Sequence, residues 1–472
     1  MLLSFAPIVL LVFLLFSAVQ LFGADASYGP NQVALLIASA AAGLVGMYRG
    51  LTWTEVQESM VAGIKVGLGP ILILLAVGGL IGSWMMAGTV PAMIYYGVSI
   101  LNPSIFFAAA AIICALASIS IGSSWTVAGT LGIGLIGIAD SYGLSPAVAA
   151  GAIISGAYFG DKLSPLSDTT NLAAACTSVD LFAHIRHMLW TTVPAFCVAL
   201  LFFSLIPSGA AIAPEQIAEL RAAISQEFNV GVGVLIPLAV MIGLIWKRVP
   251  AYPAIMLATL AGILTALTLQ ADVVRKFAFM ANPEATMPVV EGLWRTLFDG
   301  FEGTTTNEEL NRLISKGGIA SMLNTVWLIV SALAFGGVLE RTGILKQILD
   351  SVLTLVKSTG DLVAATVTGG FITNILAADQ FLAIALPGRL FSSTYDDRGL
   401  SRENLSRTLE DSATMTSALI PWNTCGAYMA ATLGVATFDY APYAIFNLAC
   451  PLIAIGFGYL AFKQKPAAPQ PA

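Results

Sequence analysis

Gly160-Asp161-Lys162-Leu163-Ser164-Pro165-Leu166-Ser167-Asp168-Thr169-Thr170-Asn171 lies between two apolar runs, Ala147 to Tyr158 and Leu172 to Cys176. In a water-soluble protein such a stretch is a loop. Here the whole run 145–175 is apolar enough to enter a bilayer, yet too long and too charged for one plain crossing. Pro165 removes a backbone hydrogen bond from any helix that passes through it, so the reading is a membrane helix broken near its middle. A charge at mid-membrane costs about 2.5–3.5 kcal/mol on insertion scales, so two carboxylates and an ammonium held there imply a role that requires them.

The rest of the chain agrees with a membrane setting. Of 472 residues, 57% are apolar and 10% charged, against roughly a quarter charged in soluble domains. Apolar segments recur at 2–22, 32–48, 67–87, 104–121, 123–139, 145–175, 184–206, 230–247, 251–269, 320–340, 359–377, 379–395, 401–433 and 440–462. Two shorter stretches, Val90 to Leu101 and Ile344 to Val356, suit re-entrant or interfacial helices. The fold class is therefore all-α: a polytopic transmembrane helical bundle. Leu2 to Phe22 is followed by Ala24-Asp25-Ala26, but it lacks a basic leader and is too long for a signal peptide, so it reads as a first membrane helix. The net charge of −6 sits mainly in the loops Pro214 to Glu227 and Pro283 to Glu309. No basic patch exists to grip phosphates, which excludes nucleic acid as a partner.

The chain divides into an N-terminal transmembrane hairpin with an amphipathic linker (1–66), a first repeat (67–180), linking helices with a long polar loop (181–319), a second repeat with a last helix (320–462) and a disordered tail (463–472). Gly143-Leu144-Ser145 returns as Gly399-Leu400-Ser401, and at the same offset of 256 Pro165 falls on Pro421 and Ala174-Ala175 on Ala430-Ala431. The match pairs the two overlong segments, 145–175 and 401–433, as inverted repeats with broken helices would. Basic residues place Arg49, Lys65, Arg186, Lys247, Arg248, Arg341, Lys346 and Arg398 on the inside, with the long loop 270–319 outside. In that topology 67–87 and 320–340 run in opposite directions.

The second half carries its own polar set: Asn374 and Asp379, then Glu410-Asp411-Ser412-Ala413-Thr414 and Pro421-Trp422-Asn423-Thr424. At the offset of 256, Asp161 falls on Ser417, Asp168 on Thr424, Ser155 on Asp411 and Ser123 on Asp379. Each half offers a carboxylate where the other offers a hydroxyl, which predicts one site built from both halves with few negative charges. The plainer reading of Asp411 is a pair with Arg407, four residues earlier on the same helix face. Hydroxyls, amides and freed carbonyls are hard oxygen ligands suited to an alkali cation, and the whole pattern is that of a secondary transporter. Gly122-Ser123-Ser124-Trp125-Thr126 would line a path to it. Glu340-Arg341 reads as a pair at a membrane boundary.

Enzymatic readings fail on the residues. Gly132-Ile133-Gly134-Leu135-Ile136-Gly137 fits G-x-G-x-x-G, but no strand precedes it. His184 and His187 have no third ligand, the five cysteines stand singly, and neither H-E-x-x-H nor G-x-S-x-G occurs. The chain is read as not an enzyme, with no cofactor.

The motif Gly160 to Ala173, with Gly122-Ser123-Ser124-Trp125-Thr126 and Pro421-Trp422-Asn423-Thr424, resembles the NhaC family of sodium/proton antiporters. The likeness runs from about Gly67 to Tyr459. It implies a multi-pass protein of a bacterial inner membrane that moves Na⁺ against H⁺. The family also includes malate/lactate antiporters and amino-acid carriers, so a small organic anion or amino acid is the competing cargo. On this reading Asp161 and Asp168 are the principal Na⁺ ligands, with Asp379 and Asp411 as partners and Ser164, Thr169, Asn171, Asn423 and Thr424 as neutral ligands. Ser123, Ser124, Thr126, Lys162, Asn374 and Trp422 line the path. Burial disfavours the charged form of a carboxylate, so proton and cation would compete for the same oxygens. Lys162 cannot face the same way as Asp161 on a regular helix, and pairs elsewhere or holds an organic anion.

Overall fold

The computed structural model describes residues 2–22, 26, 28–206, 214–303, 305 and 308–466. Ala24 and Asp25, and tail residues 467–472, lie outside the described residues. The described chain is helical throughout, with only two isolated bridges, Phe301 to Lys316 and Leu400 to Pro466. Among the described residues eight helices are long and apolar enough to cross a membrane, or ten if two bent pairs each count as one span. Val12, Phe16, Leu44, Leu116, Leu201, Leu264 and Leu452 leave their side chains on the outer surface. In water that apolar rind would drive aggregation; in lipid it faces its proper solvent.

Both overlong segments break where proline and polar residues meet. The first is the helix Pro146–Leu163, an extended turn at Ser164, and the helix Asp168–Cys176 capped by Ser167. The second is Arg402–Leu409, a π-turn Glu410–Thr414, Met415–Ser417 and, after the break, Thr424–Leu433 capped by Asn423. Ser145 and Ser401 cap the helices that lead in.

The backbone repeats at the sequence offset of 256. Gly122 (φ 74°) and Ala378 (φ 57°) are both left-handed, and each ends a helix, Phe106–Ile121 in one half and Thr359–Ala377 in the other. Ser123 and Asp379 follow them in extended conformation and cap the next helix. Gly143 and Gly399 (φ 63° and 66°), and Ser178 and Gly434 (φ 57° and 70°), are further left-handed pairs. An alanine held at φ 57° is strained where a glycine would not be, so Ala378 marks a turn that the surrounding structure imposes.

Close packing fixes the helix Pro146–Leu163. A methyl group added to Gly156 would stand 2.0 Å from the Ala111 carbonyl oxygen, and one on Gly160 would stand 2.3 Å from that of Ala115. The backbones of Phe106–Ile121 and Pro146–Leu163 therefore meet without intervening side chains, as small residues permit in membrane helices.

Three expectations are revised. The charged stretches 214–227 and 270–319 are not loops: they fold as Pro214–Glu227, Ala271–Ala281, Pro288–Phe298 and Glu308–Ile314. Val273, Val274 and Phe277 recur at helical spacing and bury a face that total charge concealed. The segment also reaches deep into the bundle, where the Gly318 N–H donates to the Gly78 carbonyl at 2.8 Å. Glu340 and Arg341 do not pair; Arg341 instead binds Glu55 of the amphipathic helix Trp53–Val66 at 2.9 Å.

Candidate functional site

Asp161 stands in the last turn of Pro146–Leu163 and is 8% exposed. Its Oδ2 accepts from the Ser124 N–H at 2.9 Å and the Ser124 hydroxyl at 2.6 Å. The local sequence builds this contact. Gly122 takes the left-handed turn, Ser123 caps the next helix by accepting from the Thr126 N–H at 3.2 Å, and Ser124 begins it. The first N–H groups of a helix have no partner inside it, and here one is aimed at a carboxylate.

A cavity of about 560 Å³ opens at this point, lined by Ser123, Thr126, Asp161, Ser167, Asp168 and Thr169, with Arg248, Gln380 and Phe381 on its other walls. The Ser167 and Thr169 hydroxyls lie 3.0 Å apart. Asp168, exposed, is the first residue of its helix. Ser164 and Asn171 shape the break instead of lining the cavity. Ser164 Oγ accepts from the Leu166 N–H at 3.3 Å, and Asn171 Nδ2 donates to the carbonyls of Pro165 (2.9 Å) and Ser167 (2.8 Å).

The remaining candidates divide into three groups. Lys162 turns away from Asp161 and forms a fully buried ion pair with Asp411, which also accepts from the Thr191 hydroxyl at 2.9 Å. Arg407 approaches Asp411 only at 3.9 Å, so the same-helix pair is the lesser of the two. Lys162 lines neither cavity. Asn374, Trp422, Asn423 and Thr424 join the second-half breaks to one another. Asn374 Nδ2 donates to the Ala413 carbonyl at 2.6 Å, Asn423 Nδ2 to Asn374 Oδ1 at 3.1 Å, Trp422 Nε1 to the Ile375 carbonyl at 2.8 Å, and the Thr424 N–H to the Ala378 carbonyl at 2.9 Å.

Asp379 forms the third group. It borders a second cavity of about 580 Å³, with Gly337, Glu340, Arg341 and Phe381 among the lining residues. The expected single site shared by Asp161, Asp168, Asp379 and Asp411 is thus not assembled: Asp161 and Asp168 share one cavity, Asp379 lines another, and Asp411 is neutralised by Lys162. Repeat matching located these residues along the chain, but which wall each faces is set by its own helix start or break, as the turn at Ala378 sets it for Asp379.

Glu410 belongs to the second polar set but has no expected role in ion binding. It is fully buried, and among the described residues neither of its carboxylate oxygens has a hydrogen-bond partner. Lys162 and Asp161 act on it electrostatically, and Thr169 and Thr414 stand beside it. Its place among Arg402, Glu403 and Arg407 suggests a helix beginning in water, which hides this burial. Trp125, of the path-lining motif, borders the first cavity and stacks on Tyr428 with ring centroids 4.0 Å apart, and the Tyr428 hydroxyl donates to the Trp125 carbonyl at 2.9 Å. His184 and His187 bind Ser406 and Asn404.

A helical membrane bundle interrupted at two paired prolines, with ionisable groups collected around the breaks, defines a secondary transporter. Residues 156–462 match the model of the Na⁺/H⁺ antiporter family. The chain is 40% identical over 434 residues to the Na(+)/H(+) antiporter NhaC of Alkalihalophilus pseudofirmus, covering 91% of this chain and 89% of that protein. It is 36% identical to the malate-2H(+)/Na(+)-lactate antiporter of Bacillus subtilis, with coverage of 91% and 89%. It is 34% identical to the arginine/ornithine antiporter ArcD of Halobacterium salinarum, with coverage of 97% and 91%. The chain belongs to the NhaC family of Na⁺/H⁺ antiporters.

Proposed function

We propose that this protein exchanges Na⁺ for H⁺ across a bacterial inner membrane, with Asp161 as the carboxylate that takes either ion. The observation that carries this reading is the setting of Asp161: nearly buried, bordering a cavity, with both Ser124 donors on Oδ2. Oδ1 is left for a cation, and the Ser123, Thr126, Ser167 and Thr169 hydroxyls supply neutral oxygens around it. Asp168 at the wall attracts cations into the cavity. Burial disfavours an empty, charged carboxylate, so a proton or a cation must occupy it, and exchange follows if only the occupied site changes its facing.

Access is one-sided on this reading. In the inverted topology the first cavity touches the start of Leu68–Met86 (Gly69, Pro70, Ile73) and the second touches the end of Leu323–Arg341 (Gly337, Glu340, Arg341). Both then open toward the side rich in Arg248 and Arg341, the cytoplasmic side. The segment 271–318 covers the opposite end.

A second reading is favoured by the size of the first cavity and by Arg248 on its wall. A bare Na⁺ needs far less than 560 Å³, whereas small organic ligands occupy pockets of roughly 300–1,000 Å³. Here Na⁺ or H⁺ drives a small carboxylate-bearing solute, with Arg248, not the paired Lys162, as its counter-charge. Proteoliposomes separate the two. Proton flux driven by a Na⁺ gradient with no organic solute is expected; flux at no pH until a solute is added would replace the antiporter reading with the second.

A further inference from the structure

We propose that the second half holds a cation site of its own, at Asp379, separate from the one at Asp161. The inference rests on the reading above that the chain transports cations, and it adds where and how many.

The argument begins with the backbone. Ser124 and Asp161, joined in the first half, have Gln380 and Ser417 as their counterparts at the offset of 256. That pair is joined as well: the Ser417 hydroxyl donates to Gln380 Oε1 at 3.4 Å. The same turn therefore delivers the same contact twice, once around each break. Only the chemistry differs. The first half carries its carboxylate at 161 and a serine cap at 123; the second carries its carboxylate at the cap, 379, and a serine at 417.

Asp379 is more than a helix cap. Oδ1 meets the needs of the cap by accepting from the Leu382 N–H at 2.8 Å. Oδ2 has no hydrogen-bond partner among the described residues, although the residue is 1% exposed. Capping alone requires one oxygen, and Ser123 does the same work with a hydroxyl. A second buried carboxylate oxygen without a donor is a cost that a bound cation would remove. The unpartnered oxygen belongs to a residue that lines a cavity of about 580 Å³, so an ion can reach it. A single buried carboxylate charge fits a monovalent alkali cation better than a divalent one. The cavity bordered by Asp379 gives such an ion a route that does not pass Asp161.

The test is equilibrium binding of radioactive Na⁺ to the purified full-length protein, comparing wild type, Asp161→Asn, Asp379→Ser and the double variant. Asp379→Ser keeps a capping hydroxyl, as at Ser123, so the helix start survives; an unchanged gel-filtration profile checks folding. Wild type should bind two Na⁺ per chain, each single variant one, and the double variant none. Asp379→Ser/Ser417→Asp, which moves the carboxylate to the position equivalent to Asp161, should restore the second ion. Asp379→Ser binding as many ions as wild type overturns the second site and leaves Asp161 untouched. Loss of all binding in either single variant also overturns it, since one shared site would then hold the ion. Unchanged binding in Asp161→Asn with one ion lost in Asp379→Ser would instead defeat the Asp161 reading and uphold this one.

Discussion

Lys162 and Asp411, 249 positions apart, meet as an ion pair that no water reaches. The pair ties the first broken segment to the π-turn of the second. Removing one member of a buried pair costs about 3–5 kcal/mol, because the other charge is left without a partner. Lys162→Met should therefore lower the melting temperature of the detergent-purified protein markedly. Lys162→Met with Asp411→Leu should recover part of the loss, since Arg407 keeps its charge beside the site. A melt of Lys162→Met equal to wild type would contradict the pairing.

Ser124 presents two donors to one oxygen of Asp161. A hydrogen bond to a charged group contributes about 1.5–3 kcal/mol, so Ser124→Ala, which keeps the N–H but loses the hydroxyl, should weaken apparent Na⁺ affinity by about tenfold or more. Asp161→Asn should abolish exchange while the protein still reaches the membrane. Concentration series of Na⁺-driven proton flux measure both. Wild-type kinetics in Asp161→Asn would remove it from the transport path.

Cavity residues and bracing residues should differ in reactivity. With the native cysteines replaced, Thr169→Cys should react with a small polar thiol reagent and be protected by Na⁺. Asn374→Cys, whose position is buried between the second-half breaks, should stay unreactive. Rapid labelling of Asn374→Cys, or a Thr169→Cys that does not react, would mean that the walls are wrongly placed.

Gly156 and Gly160 test the packing that holds Asp161 in place. Their missing side chains would meet backbone carbonyls, which cannot swing aside, so Gly156→Ala should destabilise by at least the 1–3 kcal/mol of about one added methylene in a full core. Gly456→Ala, with nothing within 4 Å of the added carbon, is the control and should melt as wild type. Equal melts for the two variants would show that the helices Phe106–Ile121 and Pro146–Leu163 are not in backbone contact.

The membrane class, the two breaks and the repeat were legible because proline, charge and apolar length are local properties. Pro165 and Pro421 each fall where a helix stops, and the repeated Ser145 and Ser401 turn out to cap equivalent helices. What stayed hidden is set in three dimensions. Arg402, Glu403, Arg407 and Glu410 look like a helix beginning in water, yet Arg407 and Glu410 are fully buried, with Lys463 of the chain's end accepting from Arg407 at 3.3 Å. Asp379 and Gln380 are neighbours in sequence, but the chain passes from an extended cap into a helix between them, and they border different cavities. The amphipathic helices of 271–314 were missed because their charge was weighed and their period was not.

Phe381 borders both cavities. It is the residue the two walls have in common, so a shift of this one ring reshapes both chambers at once. Because both chambers face the same side in the inverted topology, the ring partitions them from each other and not the two faces of the membrane. Trimming it should merge the two spaces while leaving Asp161 and Asp379 in place.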